Sequence, residues 1–126
     1  MPTKVLLSIA ALVLALPGMF LLFAPDEVLA TFGTTPDPAA QLFTQLAGGF
    51  AAAIGINNWM ARGTAIGGVY GRPLLVGNLV AFFTAGLSLL KAPGPLSGHP
   101  AVIAMAVLLL LCGAGFGRLL FVHPRP

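Results

Sequence analysis

The chain has 126 residues, six of them Lys or Arg and three Asp or Glu, so 7% are charged against 58% hydrophobic. An ordinary soluble domain has about a quarter of its residues charged and a disordered chain is poor in apolar residues, so both classes are excluded and one small membrane domain is left. The net charge of +3 comes from Lys4, Arg62, Arg72, Lys91, Arg118 and Arg125, scattered singly rather than in the stripe that nucleic-acid phosphates require.

Four apolar stretches follow one another along the chain, at about residues 5–23, 39–59, 73–90 and 101–122. Each is close to the roughly 20 residues that carry a helix across a hydrocarbon core. Each is a continuous run of Leu, Ala, Val and Gly rather than an alternation, which favours helices over a β-barrel. The expected fold is an all-α integral membrane bundle of four transmembrane helices, one domain over residues 1–126, with a short interfacial helix in the first outer loop. Lys4 before the first run and Val28-Leu29-Ala30 after it also resemble a secretory signal and its cleavage site. The run is longer than the roughly 7–15 apolar residues of such signals, so it reads as a spanning helix. Pro17-Gly18 is expected to bend or loosen it, because proline removes a backbone donor.

The short outer helix is read from Pro25, which suits a first helical turn, Asp26 and Glu27 at its positive end, and Gly33 as its stop. It covers residues 25–32, with Val28, Leu29 and Phe32 on one side. Asp37-Pro38 then supplies the cap and first residue of the second span, and Gly98-His99-Pro100 introduces the fourth. Five of the six basic residues fall on the side of the chain termini, while Lys91 and all three acids fall on the other. By the positive-inside rule both termini are expected in the cytoplasm, and Trp59 and Tyr70 flank the loop at headgroup level.

Helices in lipid associate by close packing of small residues. The second span offers Ala47, Ala51 and Gly55 as one ridge, with Gly48/Ala52 and Gly49/Ala53 beside it. The third carries Gly77, Ala81 and Ala85, and the fourth Gly113-x-x-x-Gly117. These ridges are expected to hold one bundle together or, in the fourth span above all, to meet another subunit. Gly18-x-x-Leu21-Leu22-x-Ala24-Pro25 recurs as Gly86-x-x-Leu89-Leu90-x-Ala92-Pro93, the pattern of two related helical hairpins.

Chemistry is sparse. No Ser, Thr or Cys has a base at hand, and neither His99 nor His123 shares a ligand spacing with Cys112 or an acid, so no catalytic residue, metal or cofactor is expected. All three acids lie in the outer loop rather than in a span, which speaks against proton-coupled transport. Two polar groups remain. Ser8, Asn57, Asn58, Asn78 and Arg118 lie near the cytoplasmic side, either as a cation-and-amide pocket for a lipid phosphate or small anion, or with Arg118 snorkelling to the headgroups. Near the outer side, Gln45 with Phe43 and Phe50 would form a pocket for an apolar ring such as a quinone, or Gln45 would bond to a neighbouring helix.

Leu22-Phe23-Ala24-Pro25, Phe32-Gly33 and Gly55-Ile56-Asn57-Asn58-Trp59-Met60-Ala61-Arg62 together give the first half of the chain a familiar look. It resembles the small bacterial four-helix membrane proteins of the DoxX-like type. The resemblance implies a four-helix bundle in the bacterial inner membrane, and some DoxX-like proteins are subunits of quinone-linked redox complexes; it transfers no site residue. The function expected is that of a non-enzymatic membrane subunit, surrounded by the lipid bilayer and packed with itself or with other membrane subunits. The alternatives are a small-solute or ion channel formed by a homo-oligomer and a lipid- or quinone-binding protein.

Overall fold

The computed structural model describes residues 3–35, 37–63 and 71–122. Five helices follow in order: α1 (Thr3–Phe23), α2 (Pro25–Thr31), α3 (Pro38–Met60), α4 (Gly71–Leu90) and α5 (Pro100–Val122), with a single 3₁₀ turn at Gly94–Leu96. The described residues form no strand. All but α2 are long and apolar enough to cross a membrane. Their outward faces carry Phe20, Phe43, Phe50 and Leu111, all strongly exposed, where a water-soluble protein would show charge. The chain is a multi-pass membrane protein with an all-α bundle fold. α1 runs unbroken through Pro17.

Local chemistry fixes the helix ends. Pro25 opens α2, with Asp26 and Glu27 in its first turn. Gly33, at φ 74°, closes it in a Schellman turn: its N–H donates to the Ala30 carbonyl and that of Thr34 to the Leu29 carbonyl. The Asp37 carboxylate accepts from the Ala40 N–H at 2.8 Å, capping α3 one residue ahead of Pro38. His99 Nδ1 accepts from the Ala101 N–H at 3.1 Å ahead of α5. Where α3 ends, the Arg62 guanidinium stacks 3.9 Å from the Trp59 ring centroid and donates to the Trp59 carbonyl.

The four long helices pair as two antiparallel hairpins, α1 with α3 and α4 with α5. The first is closed by backbone contact. A Cβ placed on Gly48 lies 2.5 Å from the Leu22 nitrogen, one on Gly18 lies 2.7 Å from the Ala52 nitrogen, and one on Gly55 lies 2.8 Å from the Ala11 carbonyl oxygen. No side chain fits at any of the three. In the second hairpin, glycines accommodate side chains: Leu110 sits on Gly86, Phe82 and Phe83 on Gly113, and Leu79 on Gly117. Gly18 and Gly86, which begin the two copies of the internal motif, are both buried in the seam of their own hairpin.

Between the hairpins lies a core of Leu6, Leu7 and Ala10 from α1, Leu75 and Phe82 from α4, and Leu109, Cys112 and Phe116 from α5. The Phe82 and Phe116 rings meet with centroids 5.5 Å apart. These residues occupy the end of the bundle where α1 begins and α5 finishes, and its middle. No fully buried member lies beyond Ala10 on α1 or Phe82 on α4, where the half-buried Val13, Leu14, Ala85 and Leu89 pack against the core instead. The opposite end, beneath α2, is therefore built differently.

Candidate functional site

Three places on the described chain gather polar or open surface. The first is where α3 ends and α4 begins. Asn58 and Asn78 are buried and exchange amide hydrogen bonds, each Nδ2 donating to the other's Oδ1 at 2.7 Å. A second Asn78 N–H donates to the Leu74 carbonyl at 2.9 Å. A carboxamide in an apolar interior is costly unless its donors and acceptors are matched, and the reciprocal pair matches two at once. The pair joins one hairpin to the other. Beside it, Ile54, Asn57, Pro73, Leu74 and Gly77 complete a notch of about 270 Å³.

The structure thus brings Asn57, Asn58 and Asn78 together, and it keeps the other two residues of the expected anion pocket apart. The Ser8 hydroxyl donates to the Lys4 carbonyl one turn back on α1. Arg118 is exposed on α5 and is not among the residues that line the notch. What is assembled is an amide clasp with a shallow recess, and neither asparagine can move a proton or attack a bond. His123 and Arg125 lie outside the described residues.

The second place is a groove of about 540 Å³ on the outward side of α3, where Gln45, Leu42, Leu46, Gly49, Phe50 and Ala53 face Leu22 of α1. Gln45 and Phe50 share it; Phe43 is 67% exposed and does not line it. Among the described residues the Gln45 carboxamide has no hydrogen-bond partner, and a Cβ on Gly49 would meet nothing within 4 Å. The buried ridge of α3 runs one residue away, through Gly48, Ala52, Gly55 and Asn58. Of the ridge expected from spacing, Gly55 is buried, Ala51 is half-buried against Gly18, and Ala47 is exposed. On α5, Gly113 is buried and Gly117 half-buried, both against α4.

The third place was not foreseen from the sequence. It is a cavity of about 350 Å³ between the two hairpins at the α2 end. Leu21 of α1 and Thr44 of α3 face Leu89 of α4 across it, and Ala101, Val102 and Met105 of α5 close the far wall. Its roof is Val28 and Leu29 of α2 and Phe32 at its C-cap, with Thr34 of the following loop and Leu96 of the 3₁₀ turn. The roof is anchored at both ends. Gln41 of α3 donates to Asp26 Oδ1 at 2.6 Å, and the Phe32 ring meets His99 edge-on with centroids 4.9 Å apart. The sequence signal for it is the apolar side of α2, Val28, Leu29 and Phe32, which spacing alone directs to the membrane interface and the structure turns onto the cavity.

Among the described residues no group of three His, Cys, Asp or Glu side chains is placed to hold a metal ion. Comparison with protein-family models, with curated proteins and with solved structures returned no match. Function must accordingly be argued from the geometry.

Proposed function

We propose that this protein is a non-enzymatic subunit of the bacterial cytoplasmic (inner) membrane, with both termini in the cytoplasm, that assembles with itself or a larger membrane complex through the open face of α3. The observation that carries this reading is Gln45. Its carboxamide stands on the outward side of a spanning helix without a partner among the described residues, eight residues into the least apolar of the four spans. In hydrocarbon such a group is stabilised by a bond from another helix. Gly49, one turn further on and unobstructed, would let that helix come close. Orientation is supported by Lys4, Arg62, Arg72 and Arg118 at one end of the bundle against Lys91 and the three acids at the other. The resemblance to DoxX-like proteins agrees with both the location and the subunit role.

Gly49→Leu tests the proposal at a position that faces open space, since a Cβ added there meets no atom of the described residues within 4 Å. Native mass spectrometry after extraction in mild detergent should show the wild-type chain in a particle larger than one copy. Gly49→Leu and Gln45→Leu should both shift it to the monomer with unchanged helicity. A wild-type monomer, or an assembly indifferent to both substitutions, would discard the α3 interface. Ion conductance by the intact homo-oligomer in planar bilayers would replace the subunit reading with a channel.

A further inference from the structure

We infer that the cavity beneath α2 is a binding site for one hydrocarbon chain, the acyl tail of a phospholipid from the leaflet on the α2 side. The inference is independent of the subunit proposal, because the cavity is lined by a single chain.

Its size is the first argument. At about 350 Å³ it lies at the lower end of the range of roughly 300–1,000 Å³ typical of small-molecule sites. Its walls are the second. Apart from Thr34 and Thr44, every residue lining it is apolar. A buried water needs two to four polar partners, so water is a poor filling for this space. A void forfeits the dispersion contacts its walls would otherwise make, and in a bilayer the abundant molecule able to restore them is an acyl chain.

The third argument is how the space arises. The fully buried residues of the cross-hairpin core stop at Ala10 on α1 and Phe82 on α4; beyond that level only half-buried side chains such as Val13, Leu14, Ala85 and Leu89 pack against it, and the cavity opens past them. The apolar side of α2 and its C-cap, made by Val28, Leu29 and Phe32, has no buried residue and faces this space. α2 is nevertheless held down, by Asp26 to Gln41 and by Phe32 to His99. Polar chemistry at the rim fits the same occupant. Thr34 lies in the loop after α2 and brings a hydroxyl to the lining, a donor of the kind a lipid ester carbonyl accepts from. Thr44 lies deeper, on the α3 wall.

The test uses the full-length protein in nanodiscs of phosphatidylethanolamine and phosphatidylglycerol, doped with phosphatidylglycerol bearing a diazirine near the end of one acyl chain. After illumination, adducts should concentrate on Leu21, Val28, Leu29 and Met105, several-fold above those on the exposed Phe43 and Leu111. Two variants fill the space: Met105→Trp and Ala101→Phe. Each should lower adducts at the cavity residues at least five-fold and leave Phe43 and Leu111 unchanged. A wild-type measurement stands beside them: native mass spectrometry should retain one phospholipid per chain after detergent washing that strips the rest. Equal labelling of cavity and outer faces, indifference of folded variants to filling, or retention of no lipid or of a non-lipid molecule would each overturn the assignment.

Discussion

Between α1 and α3 glycines bring backbone against backbone, whereas between α4 and α5 they make room for Leu and Phe side chains. The same residue type therefore has opposite tolerance in the two hairpins. In the first, any added carbon meets a main-chain atom of the facing helix, which can yield only if the helices part. In the second, the nearest atoms belong to Leu and Phe side chains, with the Ala106 carbonyl oxygen a secondary contact of Gly86 at 3.3 Å. The first hairpin is held by proximity and the second by interdigitation, and both fit association in lipid, where burial of apolar surface offers no driving force between helices.

The largest effect is expected at Gly48. Gly48→Ala places a Cβ 2.5 Å from the Leu22 nitrogen. It should cost about 3 kcal/mol, at the top of the usual range for overpacking, in reversible unfolding in mixed micelles. A midpoint like that of the wild type would end the backbone-contact description. Next comes the link between hairpins. Asn58→Leu leaves the buried Asn78 amide without its partner and should cost about 1–2 kcal/mol. The double variant Asn58→Leu, Asn78→Leu should recover most of that, and simple additivity would mean that the clasp contributes nothing as a pair. The smallest effect is expected in the second hairpin. Gly86→Ala meets the Leu110 side chain at 2.7 Å and the Ala106 carbonyl oxygen at 3.3 Å, and should cost about 1 kcal/mol, most of it relieved in a Leu110→Ala background. Persistence of the full penalty there would show that the Ala106 carbonyl, and not Leu110, sets it.

Much of the architecture could be read from the residues, because hydrocarbon thickness, proline and capping residues act locally. The spans expected at 5–23, 39–59, 73–90 and 101–122 are the helices Thr3–Phe23, Pro38–Met60, Gly71–Leu90 and Pro100–Val122. Pro25, Asp37-Pro38 and Gly33 mark ends where the structure has them. What was not legible depends on register between helices. The second span carries three adjacent strips of small residues, and spacing alone gives no reason to choose among them. The choice falls on Gly48, Ala52 and Gly55 because Gly18 and Ala11 of α1 stand opposite. Asn58 and Asn78 were both recognised as polar groups at one depth. Their pairing with each other, rather than with Arg118, needs the relative placement of the two hairpins. The cavity was hidden for the same reason, since it is a property of the gap between elements and not of any one of them.

Cys112 turns this arrangement into a clock. It is the one thiol in the chain, and it lies among Leu7, Phe82 and Phe116 where the two hairpins meet. A maleimide can reach it only while α1 and α5 are apart, so its alkylation rate reports how often the molecule opens along that seam. The Asn58–Asn78 clasp bolts the same seam near the helix ends, and loss of either asparagine should quicken the alkylation. Filling the space beneath α2 should slow it. One native side chain thus gives a kinetic readout of both ends of the bundle without any engineered probe.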